Sequence, residues 1–155
     1  MKIAVAGGNT DADYLIGVLS EQGHTLRVIN ADEAFCACMA DKHGIPVYFG
    51  DPCREEILKE AQINSFELII ALQSCDADNL SICQIAKKTC GVKRAVCTLS
   101  DPKNADVFKQ LGIDCPVSCG GMIAELIETI TESLSCETQT SGASDFVTRA
   151  IRIEQ

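Results

Sequence analysis

The chain has 155 residues, 46% of them apolar, which fits one compact domain with a buried core. Thirteen basic residues against 22 acidic ones give a formal net charge of −9, which argues against nucleic acid as a partner, because phosphate backbones are bound mainly by Lys and Arg. No apolar run has the ~20 residues of a membrane span and the N-terminus lacks a signal-peptide pattern, so we expect a cytoplasmic protein without direct membrane insertion.

Short β-branched runs alternate with stretches of helical length along most of the chain. Strands are predicted at residues 2–6, 25–29, 46–49, 67–72, 94–99 and 114–118. Helices are predicted at residues 11–22, 31–43, 53–62, 76–90, 103–111 and 119–134. This alternation is typical of parallel βαβ units, so we predict an α/β fold with a doubly wound, Rossmann-like parallel sheet in a single domain. Right-handed crossovers favour the strand order 3-2-1-4-5-6, with helices on both faces of the six strands.

Residues at the ends of the predicted elements support these boundaries. Glycine follows four of the helices, where a left-handed residue typically ends a helix, at Gly23, Gly44, Gly91 and Gly112. Aspartate follows three of the strands, where its side chain is predicted to cap the next helix, at Asp51, Asp76 and Asp101. The order and approximate length of the elements are therefore well defined.

Residues 1–134 form the predicted Rossmann-like domain, and the character of the chain changes after them. Residues 135–145 are small and polar and are predicted to be a linker. Residues 146–154 alternate like a strand that pairs with the sheet, exchanges onto a partner chain or begins a further domain.

The last two helices have apolar residues at helical spacing, at Val107, Phe108, Leu111, Ile123, Leu126, Ile127 and Ile130. Most of these are expected in the core, with an exposed part of the last helix as a candidate dimer surface.

The first strand leads into AGGNTDA at residues 6–12, where a dinucleotide-binding protein has the phosphate turn G-x-G-x-x-G/A. The three glycine positions of that motif are Gly7, Asn9 and Ala12. Alanine is accepted at the third position, and asparagine tolerates positive φ better than other non-glycine residues. The Asn9 side chain nevertheless fills space that a phosphate needs, and Gly8 adds flexibility without replacing the missing glycine.

Acidic residues follow the turn, and a polar residue ends the second strand. Asp11 and Asp13 fall in the first helical turn, where they either compete with phosphate or, with Thr10 as the cap, simply complement the helix dipole. Asn30 stands where an acid usually grips the adenosine ribose. No basic residue follows Asn30 closely, so a preference for NADP is not supported.

The ten cysteines are dispersed, and no Cys-x-x-Cys pair occurs among them. We expect reduced thiols that are buried as small apolar side chains. A second interpretation stays open for Cys53, Cys75 and Cys97, which follow three successive predicted strands. Because ligands bind at that edge of a doubly wound sheet, these thiols would converge on the cleft and serve metal or redox chemistry there.

Several segments together resemble the TrkA-N (RCK or KTN) regulatory nucleotide-binding domains of potassium channels and transporters. The similarity extends over about residues 1–130. It rests on MKIAVAG, EQGHTLRVINAD, PVYFGDPCREEILKEAQI, ELIIALQSCDADNLSICQIAKK and GVKRAVCTLSDPKNADVFKQLGIDCPVS. The most specific combination is Gly50-Asp51, Asp78-Asn79-Leu80 and the block from Pro102 to Asp114 that ends in LGID, in this order and spacing.

The resemblance implies a cytosolic regulatory subunit of a potassium uptake or channel system, not an enzyme, at the inner face of the membrane. Such a subunit binds NAD(H) or an adenine nucleotide (AMP, ADP or ATP), assembles as a homodimer or larger ring, and transmits its ligand state to a potassium-translocating membrane protein. Residue by residue, the resemblance implies a phosphate turn at Gly7, Gly8, Asn9 and Thr10, ribose contacts at Asn30 and Ala31, an adenine border at Asp51 and Pro52, and a cleft lining at Leu72, Gln73 and Ser74.

Three departures from the family pattern concern the ligand. Members commonly have Asp at the position of Asn30, Thr at the position of Cys53 and a basic residue at or near Thr98. A phosphate turn that has lost a glycine and a cation and gained acids favours a ligand with few phosphates or none. The alternatives are an interaction module with a degenerate nucleotide site and, less expected because His24 and His43 lie away from the cleft, an NAD-dependent oxidoreductase.

Overall fold

The computed structural model describes the backbone of residues 1–137 and the side chains of residues 1–133. Its strands are β1 (Lys2–Gly7), β2 (Thr25–Asn30), β3 (Val47–Phe49), β4 (Leu68–Leu72), β5 (Arg94–Thr98) and β6 (Cys115–Val117). Its α-helices are α1 (Thr10–Glu21), α2 (Glu33–His43), α3 (Glu55–Glu60), α4 (Asp76–Lys88), α5 (Ala105–Gln110) and α6 (Cys119–Glu137), with short 3-10 helices at Ile63–Ser65 and Pro102–Asn104. The strands form one parallel sheet in the order β3-β2-β1-β4-β5-β6, which confirms the predicted topology.

Both faces of the sheet are buried under helices. In β1, Ile3 and Val5 pack in a cluster with Ile16 of α1 and Met39 of α2. The alternate residues of the same strand, such as Ala4, pack in a second cluster that includes side chains from α3, α4 and α5. Because a parallel strand buries both of its faces, these strands are continuous apolar runs in the sequence. The predicted layers on the two faces are confirmed.

Strands β2 and β3 lie on one side of the central strand β1, and β4, β5 and β6 lie on its other side. Gly7, the last residue of β1, lies opposite Leu72, the last residue of β4. Ala71 of β4 pairs in turn with Cys97 of β5. The carboxyl ends of these three strands therefore meet at the point where the strand order reverses, which is where ligands bind in doubly wound sheets.

The four predicted helix-ending glycines have positive φ, between 62° and 90°. The three aspartates behave differently from one another. Asp101 accepts a hydrogen bond from the Lys103 backbone N–H at the 3-10 helix, as predicted. Asp51 accepts one from the Cys53 N–H in the turn before α3, and Asp76 lies inside α4, so neither is the cap of its helix. Those two capping predictions are wrong.

The chain divides into two compact units, Met1–Cys119 and Gly120–Gln155. The first contains the sheet and helices α1 to α5. In the second, α6 carries exposed apolar side chains at Met122, Ile123, Leu126, Ile127 and Ile130. Of the seven apolar positions assigned to the last two helices, Phe108 is buried and the other six are exposed, so the expectation that most are core is wrong.

Helix α6 is described as far as Glu137, so the first residues of the predicted linker are helical, and the predicted strand at 146–154 lies outside the described residues. None of the helices within the described part of the chain has both the length and the apolar character to cross a bilayer.

Candidate functional site

A cleft of about 380 Å³ opens at the carboxyl edge of the sheet, where β1, β4 and β5 end. The described residues that line it are Gly8, Asn9, Asp11, Ala12, Leu15, Leu72, Gln73, Ser74, Thr98, Leu99 and Ser100. Six of the predicted site residues are in this lining, namely Gly8, Asn9, Leu72, Gln73, Ser74 and Thr98. Among these described residues there is no Lys or Arg and one carboxylate, that of Asp11.

The other six predicted site residues are not in the cleft lining: Gly7, Thr10, Asn30, Ala31, Asp51 and Pro52. Gly7 packs beneath the lining residue Gln73, and Pro52 is buried. Three lining residues were not identified from the sequence, at Leu15, Leu99 and Ser100. Leu99 and Ser100 directly follow β5, so the rule that ligands bind at the carboxyl edge of the sheet would have found them.

Two consecutive glycines carry the chain from β1 into α1. Gly7 has φ of 78° and Gly8 has φ of 95°, both in the left-handed region. A Cβ atom on Gly8 would lie 2.4 Å from the Ala12 Cβ, so the helix packs directly onto the turn. The turn therefore requires glycine at its second residue for both its conformation and its packing.

Asn9 does not take the place of a glycine. Its φ is −136°, because Gly8, one residue earlier, already supplies the left-handed conformation. The Asn9 side chain instead caps α1, where its oxygen accepts a hydrogen bond from the Asp11 N–H at 3.2 Å. Thr10, the predicted cap, is the first residue of the helix. The glycine-rich turn is present, but Asn9 does not stand in for its second glycine and Thr10 does not cap the helix, so both of those expectations are wrong.

The two acidic residues of the first helical turn point to different places. Asp11 is exposed and lines the cleft. Asp13 pairs with α2, its carboxylate oxygens lying 2.6 Å from Lys42 Nζ and 2.7 Å from His43 Nε2. Hydrogen bonds from Lys42 and then from His43 lower the pKa of Asp13. Only Asp11 therefore places its charge in the cleft, and His43 has a structural role.

Asn79, the middle residue of the Asp-Asn-Leu motif, joins the ends of β4 and β5 beneath the cleft. Its side chain is fully buried. The Asn79 oxygen accepts a hydrogen bond from the Gln73 N–H at 2.8 Å, and Nδ2 donates to the carbonyl oxygens of Gln73 at 2.8 Å and Thr98 at 2.9 Å. One amide thus satisfies three backbone groups that follow or end the two strands, which fixes the wall of the cleft.

A second set of hydrogen bonds holds the loop after β5. The Asp76 carboxylate accepts from the backbone N–H groups of Ser100 at 2.7 Å and Asp101 at 3.3 Å, and from Asn104 Nδ2 at 2.8 Å. Burial raises the pKa of Asp76, but these hydrogen bonds outweigh burial and lower it overall. Ser100 Oγ also donates to the Ser74 carbonyl at 3.0 Å. The two serines at the rim of the cleft are thereby joined.

The cysteines after the strands do not converge on the cleft. Cys97 is fully buried in the core, where it contacts Cys83, while Cys75 is exposed and Cys53 is half-buried. Burial, followed by the charges of Asp51 and Asp78, raises the pKa of Cys53 to about 11, which makes its thiol a poor nucleophile and metal ligand. None of the three thiols lines the cleft. No group of three or more His, Cys, Asp or Glu side chains in the described part of the chain is arranged to hold a metal ion.

The sheet order and the cleft at the reversal point define a Rossmann-like domain. A sequence model of the TrkA-N domain matches residues 3–118, which is well over half of the chain. The chain belongs to the TrkA-N domain family.

Individual relatives agree with this assignment. The chain is 31% identical over 131 residues to the Trk system potassium uptake protein TrkA of Mycobacterium tuberculosis, covering 83% of this chain and 58% of that protein. It shares its fold with the GsuK channel bound to NAD (TM-score 0.66, 21% identity, 75% of this chain and 21% of that chain). It also shares its fold with the Kef C-terminal domain of Shewanella denitrificans in its AMP-bound form (TM-score 0.67, 18% identity, 97% and 88%). The chain spans a little over half the length of the curated relatives it matches.

Proposed function

We propose that this chain is a regulatory domain of a potassium transport system that binds an adenine nucleotide or NAD(H) in the cleft. The observation that carries the proposal is the position of the cleft, between a double-glycine turn, the N-terminus of α1 and the ends of β4 and β5. That is the position in which doubly wound sheets bind nucleotides. Family membership and the ligands named for the GsuK and Kef structures support the same assignment.

The charge of the lining favours ligands with few phosphates. Among the described lining residues there is no cation, and Asp11 adds a negative charge at the helix terminus that would otherwise attract phosphate. The repulsion grows with each ligand charge. We therefore propose that AMP binds at least as tightly as ADP, and both bind more tightly than ATP.

The ligand acts through a potassium-translocating membrane protein and through self-association into a homodimer or larger ring. The TrkA relatives are named as potassium uptake proteins, which supports a role in potassium transport, and a regulatory, non-enzymatic role at the cytoplasmic face of the membrane is part of the proposal. The exposed apolar residues of α6 supply a surface for contact between copies. Regulation requires that the ligand bind two conformations of the assembly with different affinities.

Thermal unfolding with AMP, ADP, ATP, NAD and NADH tests the proposal. At a ligand concentration of 100 times Kd, binding adds about 2.7 kcal/mol of stability, so we expect Tm to rise by several degrees. The variants Asp11→Asn and Asp13→Asn form a matched pair, since each removes one carboxylate from the same helical turn but only Asp11 lines the cleft.

Asp11→Asn is expected to tighten ATP binding about fivefold, roughly 1 kcal/mol, and AMP binding less. Asp13→Asn is expected to leave the affinities unchanged while lowering Tm, because its pairs with Lys42 and His43 are lost. If no nucleotide raises Tm at millimolar concentration, the nucleotide-binding proposal is wrong and the interaction module is favoured.

A further inference from the structure

Asn30, at the end of β2, is buried, and its side chain and its backbone carbonyl are hydrogen-bonded within the protein. Its residue is 6% exposed. Side-chain Nδ2 donates to the Gly8 carbonyl at 3.1 Å, and Oδ1 accepts from the Asp32 N–H at 2.9 Å. Its backbone carbonyl accepts from the Gly50 N–H at 2.9 Å. The side chain therefore connects the end of β2 to the glycine turn.

The two side-chain partners fix the orientation of this amide. A carbonyl such as that of Gly8 can only accept, so the group facing it must be the Nδ2 donor. A backbone N–H such as that of Asp32 can only donate, so the group facing it must be Oδ1. One proton and one lone pair of the amide have no role in these bonds, but the burial of the residue leaves them little access to a ligand.

An aspartate cannot make the same pair of contacts. An ionised carboxylate only accepts hydrogen bonds, so one oxygen would face the Gly8 carbonyl oxygen in mutual repulsion. Such a carboxylate would rotate away from the Gly8 carbonyl and toward the ligand. Carboxylates at this strand end accept hydrogen bonds from ribose hydroxyls. An amide at position 30 can therefore hydrogen-bond to the glycine turn, whereas an ionised carboxylate cannot.

The residues after Asn30 are not placed as substitutes for an acid at position 30. Ala31 has no polar side chain, and the Asp32 carboxylate caps α2 by accepting from the Phe35 N–H at 3.0 Å. We propose that Asn30 is a specificity-determining residue. Its side chain hydrogen-bonds to the glycine turn and does not contact the 2′ substituent of the ligand's ribose, so the site does not recognise a 2′-hydroxyl. This inference rests on the proposed nucleotide site.

The ligand test compares nucleotides that differ at the 2′ position. Calorimetric titration of the full chain with AMP, 2′-deoxy-AMP, NAD and NADP is expected to give wild-type affinities for AMP and 2′-deoxy-AMP within about threefold of each other, while the extra charge of the 2′-phosphate makes NADP bind more weakly than NAD. Asn30→Asp is expected to favour AMP over 2′-deoxy-AMP and NAD over NADP by about tenfold or more, because the new carboxylate accepts from the 2′-hydroxyl and repels a 2′-phosphate. Asp32→Asn keeps an acceptor toward Phe35 and should leave the ratios as in wild type.

A ligand-free measurement tests the contact with Gly8 separately. The ionised carboxylate of the Asn30→Asp variant is expected to lower Tm by about 5 °C at pH 7. The protonated acid can donate to the Gly8 carbonyl, so the loss should shrink as the pH falls toward about 4. A Tm that matches wild type across this pH range would overturn the inference.

The remaining outcomes separate the inference from the proposed function. Tenfold or greater discrimination between AMP and 2′-deoxy-AMP by the wild-type chain would overturn the specificity role of Asn30 while leaving nucleotide binding intact. Failure of both proteins to bind any of the four nucleotides would overturn the proposed function and the specificity role together. In that case a pH-dependent Tm loss in Asn30→Asp would assign the amide to the stability of the turn alone.

Discussion

Replacing Gly8 with alanine is expected to lower the free energy of unfolding by about 3–4 kcal/mol. A φ of 95° costs any residue with a Cβ roughly 1–2 kcal/mol. The new Cβ would also lie 2.4 Å from the Ala12 Cβ and 3.3 Å from the Leu72 Cβ, so the turn must move away from both α1 and β4. The same movement displaces the Gly8 carbonyl to which Asn30 donates, so nucleotide binding should be lost together with stability.

Gly23→Ala is the matched control for this substitution. Gly23 also has positive φ, 78°, but a Cβ built on it has no neighbour within 4 Å among the residues that the structure describes. This variant should therefore show only the conformational cost, about 1–2 kcal/mol. Urea unfolding of both variants measures the difference. Equal losses would contradict the close packing of α1 onto the turn.

Asn79→Leu is expected to destabilise the protein by about 4 kcal/mol. Leucine has nearly the same shape as asparagine, so the substitution leaves no large cavity and chiefly removes hydrogen bonds. Three backbone groups around this fully buried side chain lose their hydrogen bonds to Asn79, namely the Gln73 N–H and the carbonyls of Gln73 and Thr98. Each unsatisfied buried group costs roughly 1–3 kcal/mol.

Thr98→Val separates the backbone contacts of Asn79 from its contact with a side chain. The Thr98 hydroxyl lies 3.4 Å from Asn79 Nδ2, a longer contact than the 2.9 Å to the carbonyl of the same residue. Valine suits a strand and keeps the carbonyl, so a loss below about 1 kcal/mol is expected. If Thr98→Val costs as much as Asn79→Leu, the hydroxyl rather than the backbone would be the important partner.

The sheet was predictable because its signals are local. A strand buried on both faces is a short apolar run, and glycine ends the helices that follow, so both can be recognised without knowing the partners. The strand order followed from the handedness of crossovers. Cleft residues after β4, such as Gln73 and Ser74, were predictable for the same reason, since they follow from the position of a strand end.

The direction of individual side chains was not predictable, because it depends on partners distant in sequence. Asp11 and Asp13 are two residues apart, yet Asp13 faces His43 of α2, 30 residues away. The Asn30 side chain donates to the carbonyl of Gly8, 22 residues away, and nothing in the sequence around Asn30 specifies that partner. Of the two interpretations of Cys97, burial in the core is correct and a position at the cleft is wrong, because the alternation along β5 places the side chain in the core. No sequence periodicity specifies these partners before the elements are packed.

Hydrogen–deuterium exchange of the full chain, with and without AMP or NAD, tests the assignment of the cleft most directly. We expect bound nucleotide to slow exchange in the peptides that contain residues 7–12, 72–76 and 98–101, which border the cleft. Exchange in the peptide that contains Gly23 should stay unchanged, since that residue lies in the turn after α1. Nucleotide binding without slower exchange in the three segments, or with protection only elsewhere, would contradict the site.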